Sequence, residues 1–397
     1  MSRRTRTMLL AALWFVPLLL FTSAFWFDWL SVWGALQLPS MTPHFADLRS
    51  ITGGLATTKH GGDPLIANPH DPWNRPFNYP RIWLRLFSFL GINDGNLSIV
   101  GLAFCALYLI CISWLIARSK RDLDASLLLL ASLSLAPLLA FERGNNDLFV
   151  FFLVFLGCVA ASSSLTPGLF AAAALLKIYP FAALLVEGIR RPLKRKVLPV
   201  LAGALVLGLL GWQWRDVYAI RHATPASPTL SYGALSLMAQ VTGNLWLYVI
   251  AACALAGALT LGLTRFGGFQ IEEQVRNSMA GEMFFIFGGV YVFTFLTGSN
   301  WDYRLIFLVP TLPLAFELAR SPRQGPVGAV YVGMVILAEN SLVFGSRTGT
   351  ILCDFATLGV FFWILAILLE HSKGYLFKTA ATPQRQASRA HVLDMGG

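Results

Sequence analysis

The chain has 397 residues, of which 56% are apolar and 13% charged, and its formal net charge is +10. A soluble chain holds roughly 25% charged residues, so about half of the usual water-facing charge is missing. That excludes a soluble multidomain enzyme and a disordered chain. Uncharged runs at 8–27, 97–117, 148–176 and 230–264 reach the ~20 residues that a helix needs to span a bilayer. They predict an all-α, polytopic transmembrane protein with a single integral membrane domain over 1–397. A transmembrane β-barrel would alternate apolar and polar residues at period two, which these runs do not.

The first element, MSRRTRTMLLAALWFVPLLLF, has the basic start of a signal peptide. Its apolar stretch nevertheless continues to Phe27 with no small-residue cleavage site, so it reads as a retained first helix. Arg3, Arg4 and Arg6 place its start in the cytoplasm, because Lys and Arg favour cytoplasmic loops. Next comes a first extracytoplasmic loop over 34–90, long enough to be functional and punctuated by Pro, Gly, Asn and Asp. It is expected to hold short interfacial helices, one near 44–57 and an amphipathic one at 81–90.

Further membrane segments are expected at 97–117, 123–141, 147–163, 168–189, 197–214, 235–264, 282–298, 303–319, 326–344 and 353–370, about ten or eleven in all. Basic clusters at 118–121, 190–196, 265–276 and 320–323, with the polar tail 371–397, fall on the cytoplasmic side, so both termini are expected inside. The positive balance therefore reports topology, and no nucleic-acid partner is expected. One conflict remains in this assignment. An outer 142–147 and an inner 190–196 require an odd number of crossings, whereas two apolar segments are visible. Lys177-Ile178-Tyr179-Pro180 breaks the second of them, which is expected to enter and return without crossing.

Several residues along this path could carry chemistry. Asp47, in FADLRSI, is a carboxylate on an outer loop that could act as a general base toward a hydroxyl; it could equally cap a helix or pair with Arg49. Asp28 and Asp63 are competing loop acids. Asp28 sits in an aromatic belt of Trp26, Phe27, Trp29 and Trp33, while Asp63 and Asp71 are Pro-flanked and read as turn residues. Glu142-Arg143-Gly144-Asn145-Asn146-Asp147 forms a polar corner more highly charged than a helix turn requires. Lys177 lies inside an apolar helix, where an ammonium needs a partner, a cavity or the interface. Arg304 could pair with Asp302 or hold an anionic lipid phosphate in its donor fork. Glu339-Asn340 is a costly polar pair within a span and is expected to have a buried partner.

Absences narrow the field. There is no GxxxxGK[ST] loop for nucleotide phosphates and no HExxH or His/Cys cluster for zinc. The five cysteines read as soft apolar fillers. No inverted repeat with paired broken helices points to a transporter.

The ordered set of Asp47-Leu48, Phe77-Asn78-Tyr79-Pro80, Gly144-Asn145-Asn146 and Lys177-Ile178-Tyr179-Pro180 resembles the GT-C superfamily of membrane glycosyltransferases. The resemblance is closest to the bacterial polyprenyl-phosphate-sugar-dependent enzymes of family-87, mannosyltransferase-like type. It covers about residues 8–200, with an echo at 299–313. The sequence departs from the family pattern in three places: Arg81 stands where a second Pro is usual, Asn145 where Gln is usual, and Arg143 is added before Gly144.

The resemblance implies a bacterial cell-membrane enzyme that transfers a sugar, with inversion, from a polyprenyl-phosphate donor to a glycan, lipid or protein hydroxyl at the outer face. It implies Asp47 as base and Arg304, Arg143 and Lys177 as donor-phosphate ligands. Tyr79, Asn145, Asn146 and Asp147 would contact sugar or acceptor. No cofactor or metal is expected, and membrane lipids are the remaining partners. The rival readings are a lipid or lipid-linked-sugar flippase using Lys177, Glu339 and Arg304 as a charge pathway, and an inactive scaffold relative.

Overall fold

The computed structural model describes residues 1–160, 164–191, 196–224, 230–234, 236–237, 271, 273–297, 300–344 and 348–370. Almost all of the apolar segment expected at 235–264, the basic clusters at 192–195 and 265–270, and the tail 371–397 lie outside these residues. What is described is an all-α, polytopic membrane protein. Helices Arg3–Trp26 (α1), Leu97–Arg118 (α5), Met279–Thr297 (α13) and Thr348–Glu370 (α16) are each long and apolar enough to cross a bilayer. Two bent pairs raise the number to six: Asp122–Ser132 (α6) with Leu135–Arg143 (α7), at 43°, and Val197–Trp212 (α11) with Trp214–Ala223 (α12), at 77°. Large apolar side chains face outward on α1 (Phe15, Leu18, Leu19) and on α11 (Val200, Leu201, Leu205). A surface of that kind belongs against lipid rather than water.

The chain runs back and forth between two poles. At one, the Met1 ammonium donates to the Lys120 carbonyl at 2.7 Å, so α1 starts where α5 ends. At the other, α1 closes at Trp26, and Asp28 caps the short helix Trp29–Ala35 (α2) by accepting from the Ser31 amide at 2.6 Å. Asp28 is thus a cap. The break it makes also divides the expected aromatic belt: Trp26 and Phe27 point outward, whereas Trp29 and Trp33 turn inward and pack on Phe21.

The loop holds the two expected short helices, at Ala46–Lys59 (α3) and Ile82–Phe89 (α4). α4 buries Trp83, Leu84 and Phe87, and the Trp83 indole donates to the Leu176 carbonyl at 2.9 Å. Phe45 precedes α3 in the left-handed region, φ +59°. Its ring occupies the space in which a Cβ on Gly101 or Gly144 would sit 2.8 Å away. Only glycine lets α5 and the α7 corner close on that ring.

Asp147–Val159 (α8) leaves the loop pole, Leu165–Leu176 (α9) returns to it, and Phe181–Arg190 (α10) leaves again. At its far end, Arg190 reaches the Arg276 and Gly281 carbonyls beside the start of α13. As expected, the segment at 168–189 breaks at Lys177–Pro180, into two helices that run to the loop pole and back, and Lys177 adopts an extended conformation (φ −146°, ψ 134°). Three helices thus lie between 142–147 and 190–196 and alternate in direction. Each is 10–13 residues long, so at 1.5 Å per residue these helices are about 15–20 Å in length.

Beyond α12, Ser231–Tyr232 and Asn300–Trp301 form a two-residue antiparallel pair, Ser231 opposite Trp301. The helix expected from 303 begins as a 3-10 segment, Asp302–Thr311. It passes into Leu312–Ala319 (α14) and is followed by Gly325–Asn340 (α15).

Candidate functional site

The site grows from two interruptions in helical order that meet at the loop pole. α7 stops at Gly144, whose φ of +57° makes it a left-handed C-cap. The Gly144 amide bonds the Phe141 carbonyl and the Asn145 amide bonds the Ala140 carbonyl, so the terminal carbonyls are satisfied. The reversal delivers Asn145 and Asp147 side by side, with Asn145 Oδ1 accepting from the Asp147 amide at 2.7 Å. The second interruption is the extended Lys177, with Pro180 opening α10.

Asp147 is fully buried and is the hub. Its Oδ1 lies 2.7 Å from Lys177 Nζ and accepts from the Tyr179 hydroxyl at 2.8 Å. Its Oδ2 accepts from Arg304 Nε at 3.2 Å. Arg304 also donates through Nη1 to Asn300 Oδ1 at 2.6 Å, and its guanidinium lies 5.2 Å from the Tyr179 ring centroid. Lys177 Nζ stands 4.7 Å over the Tyr79 ring, a cation–π contact.

From this hub the network extends through Asn145 to the loop. Asn145 Nδ2 donates to Asp47 Oδ2 at 2.5 Å, and Arg75 Nη1 lies 3.6 Å from Asp47 Oδ1. Asp47 therefore neither caps α3, whose N-cap is Phe45, nor pairs with Arg49. Arg49 instead reaches the His44 carbonyl and Asp94.

Arg75 is itself gripped by Asp71, through Nε at 3.1 Å and Nη2 at 2.9 Å, while Nη2 also reaches the Ala46 carbonyl. Burial works against the Arg75 charge, but the Asp71 hydrogen bonds and the charges of Asp47 and Asp71 outweigh it, holding the guanidinium above its ordinary pKa. Burial, reinforced by the Asp47 charge, pushes the Tyr79 phenol well above its ordinary value, so the hydroxyl keeps its proton. Exposure is graded across the cluster. The Arg75 side chain is 28% exposed, Asp47 12%, Lys177 6% and Asp147 0%. Asp47 and Arg75 form the open rim and Asp147 the floor.

The structure thus brings together Asp47, Tyr79, Asn145, Asp147, Lys177 and Arg304. It does not bring in Arg143 or Asn146. Arg143 turns toward the loop before α3, pairing with Glu142 at 3.0 Å, donating to the Pro39 carbonyl and contacting the Met41 sulfur. It braces residues 39–41 against α7. Asn146 is buried, and neither of its side-chain polar atoms has a hydrogen-bond partner among the described residues.

Arg304 does not pair with Asp302, because Asp302 faces the Cys353 sulfur instead. Glu339 does have a buried partner, as expected: it accepts from Ser134 at 2.9 Å. Asp63 holds a turn by accepting from the Leu65 amide and also binds Arg81. Among the described residues no three His, Cys, Asp or Glu side chains converge so that they could hold a metal ion.

Sequence reasoning missed Arg75, Tyr179 and Tyr303, the last of which lies against Asn145 and near Asp47. Arg75 carried a usable signal, because Asp71 stands four residues before it in a Pro-bounded loop. Compared with known proteins, the sequence matches no family model and no curated protein.

Proposed function

We propose that the chain is an inverting glycosyltransferase of GT-C type, transferring a sugar from a polyprenyl-phosphate donor to a hydroxyl acceptor at the outer face of a bacterial cell membrane. The ten or eleven membrane segments and the cytoplasmic termini expected from the sequence belong to this reading. The observation that carries it is one continuous network in which a rim carboxylate, Asp47, is joined through Asn145 to the buried Lys177–Asp147–Arg304 cluster. A base for an acceptor hydroxyl and cations for a leaving phosphate then stand a few bonds apart.

In the reaction, the acceptor oxygen attacks the anomeric carbon while Asp47 takes its proton. The bond from that carbon to the phosphate oxygen breaks with inversion, and the electron pair leaves with the lipid phosphate. Arg304 and Lys177 meet the added charge with donors that Asp147 does not occupy, as preorganised cations do for a developing anion. Tyr79 and Asn145 are placed to orient sugar hydroxyls. Arg75 and Asp71 fix the position of Asp47.

The flippase reading calls for charges spaced through the bilayer depth. Lys177 and Arg304 instead share one carboxylate, and Glu339 is bonded to Ser134.

The test uses protein in lipid nanodiscs with a panel of radiolabelled polyprenyl-phosphate sugars and a membrane-lipid and glycan extract. Transfer by the wild type and its loss by about 10²–10⁴-fold in a folded Asp47→Asn protein are expected, the usual contribution of a general base. A mutant as fast as wild type sinks the role of Asp47. A wild type that binds donors and transfers nothing overturns the enzyme reading.

A further inference from the structure

At the pole opposite the candidate site, the ends of α5 and α14 and the starts of α6 and α13 enclose a cavity of about 240 Å³. Its rim carries three cations, Arg118, Lys120 and Arg320, while Leu115, Leu128, Met283 and Phe316 form an apolar floor. The cations are not equally committed. Arg320 is held by Asp124 at 2.7 Å. The Arg118 guanidinium lies over the Trp114 ring, 4.1 Å from its centroid, a cation–π contact. Among the described residues neither Arg118 nor Lys120 forms an ion pair. The Met1 ammonium is anchored to the Lys120 carbonyl and adds a further positive charge beside the mouth. With Asp124 engaged by Arg320, Glu317 is the remaining acid of the lining.

We propose that this pocket binds the headgroup of an anionic phospholipid from the leaflet at the N-terminal pole. The phosphate would lie between Arg118 and Lys120, and the upper acyl chain against Leu115, Leu128, Met283 and Phe316. Three observations carry this choice of occupant. The free charge on the rim is positive, and basic pockets between membrane helices select anionic headgroups. The floor is apolar, which suits an acyl chain and gives nothing to a free phosphate ion. The pocket also meets α5 from Trp114 onward, whereas the Phe45 ring, two residues before Asp47, meets it at Gly101, so about 20 Å of helix separates the two places. It is therefore not the place where a donor phosphate would react, and the proposal does not depend on the reading of that site.

The experiment is a thermal-stability titration of the full chain in mixed micelles against phosphatidylglycerol, phosphatidylcholine and inorganic phosphate. Saturable stabilisation by phosphatidylglycerol alone is expected. Arg118→Ala with Lys120→Ala should raise the half-saturating mole fraction roughly tenfold. Arg4→Ala with Arg121→Ala, which removes the same charge from the same pole outside the pocket, should change it by less than about twofold. Equal stabilisation by phosphatidylcholine overturns the proposal, as does reproduction of the effect by phosphate, or a control variant shifted as far as the pocket variant. A second measurement needs no variant. Photo-crosslinkable phosphatidylglycerol on the wild-type chain should label 114–120, 278–283 or 313–320, and adducts confined to other segments overturn the assignment.

Discussion

Asp147 offers the sharpest test of how the site is held together. It is fully buried, and two cations that are themselves 6% and 14% exposed lean on it at 2.7 and 3.2 Å. At an effective dielectric of about 20, unit charges at those separations attract by about 6 and about 5 kcal/mol. Removing three ions from water and placing Lys177 near Arg304 cancels most of that. What survives is the asymmetry: Asp147→Asn leaves two buried cations facing a neutral amide, and breaking one side of a buried pair costs about 3–5 kcal/mol.

A partial rescue is therefore expected. Lys177→Met in the Asp147→Asn background removes one stranded ammonium and keeps the volume, so the double variant should be more stable than Asp147→Asn alone. The coupling expected between residues in direct contact is about 0.5–3 kcal/mol. Asp28→Asn, which keeps an equivalent cap on α2, should be indistinguishable from wild type. Reversible unfolding in mixed micelles, followed by tryptophan fluorescence, reads these proteins together with the Lys177→Met single variant. If Asp147→Asn is as stable as wild type, or if the double variant loses the sum of the single losses, Asp147 is not the counter-ion that keeps these cations in place.

Gly144→Ala forces a left-handed φ on a residue with a Cβ and drives that Cβ to 2.8 Å from the Phe45 ring, so a loss of about 1–3 kcal/mol is expected; Gly34→Ala, with open space around it, is the control in the same unfolding assay. Arg75→Lys loses the two-pronged grip on Asp71, and if that grip positions the base, sugar transfer should fall about 10²-fold in a folded protein; a wild-type rate would show that Asp47 needs no such brace.

Burial, and then the charge of Arg49, hold the His44 imidazole below its ordinary pKa of 6.5. The unfolded chain therefore binds more protons than the folded one between those two values. Stability is full above about pH 6.5 and declines as pH falls through that window. His44→Gln should flatten this part of a melting-temperature profile, and an unchanged slope would refute the assignment.

The sequence carried the two interruptions of the site clearly, for a physical reason. A Gly-Asn-Asn corner and a Lys-x-Tyr-Pro break are local events, governed by left-handed φ and by the missing amide of Pro180. Asp47 and Tyr79 were legible as polar residues in an ordered loop. What could not be read was direction. Arg143 is two residues from Asn145, yet α7 is still helical at 143 and its side chain leaves toward Pro39, before Gly144 turns the chain. Adjacency in sequence suggested a shared site, and one left-handed residue separates them. Arg304 was visible as a cation, but its partner lies 157 residues away, whereas Asp302 is two residues away, and no periodic pattern encodes that choice. Arg75 was overlooked because Pro and Asp around it were sufficient to explain a turn.

The charges of the connected network also bear on the proposed chemistry. Asp47, Asp71 and Asp147 face Arg75, Lys177 and Arg304, so the resting cluster is neutral, which is what allows six ionised groups to sit together in a largely buried place. In the proposed reaction this balance changes locally and usefully. A donor phosphodiester arrives with one negative charge and departs as a phosphate monoester carrying a second. Over the same step Asp47 acquires the acceptor proton and becomes neutral, so the protein side of the site gains one net positive charge while the leaving group gains one negative charge. The compensation needs no ion to enter and no side chain to move far. It does require the base and the phosphate-facing cations to belong to one contiguous cluster, as Asn145 makes them by accepting from Asp147 on one side and donating to Asp47 on the other.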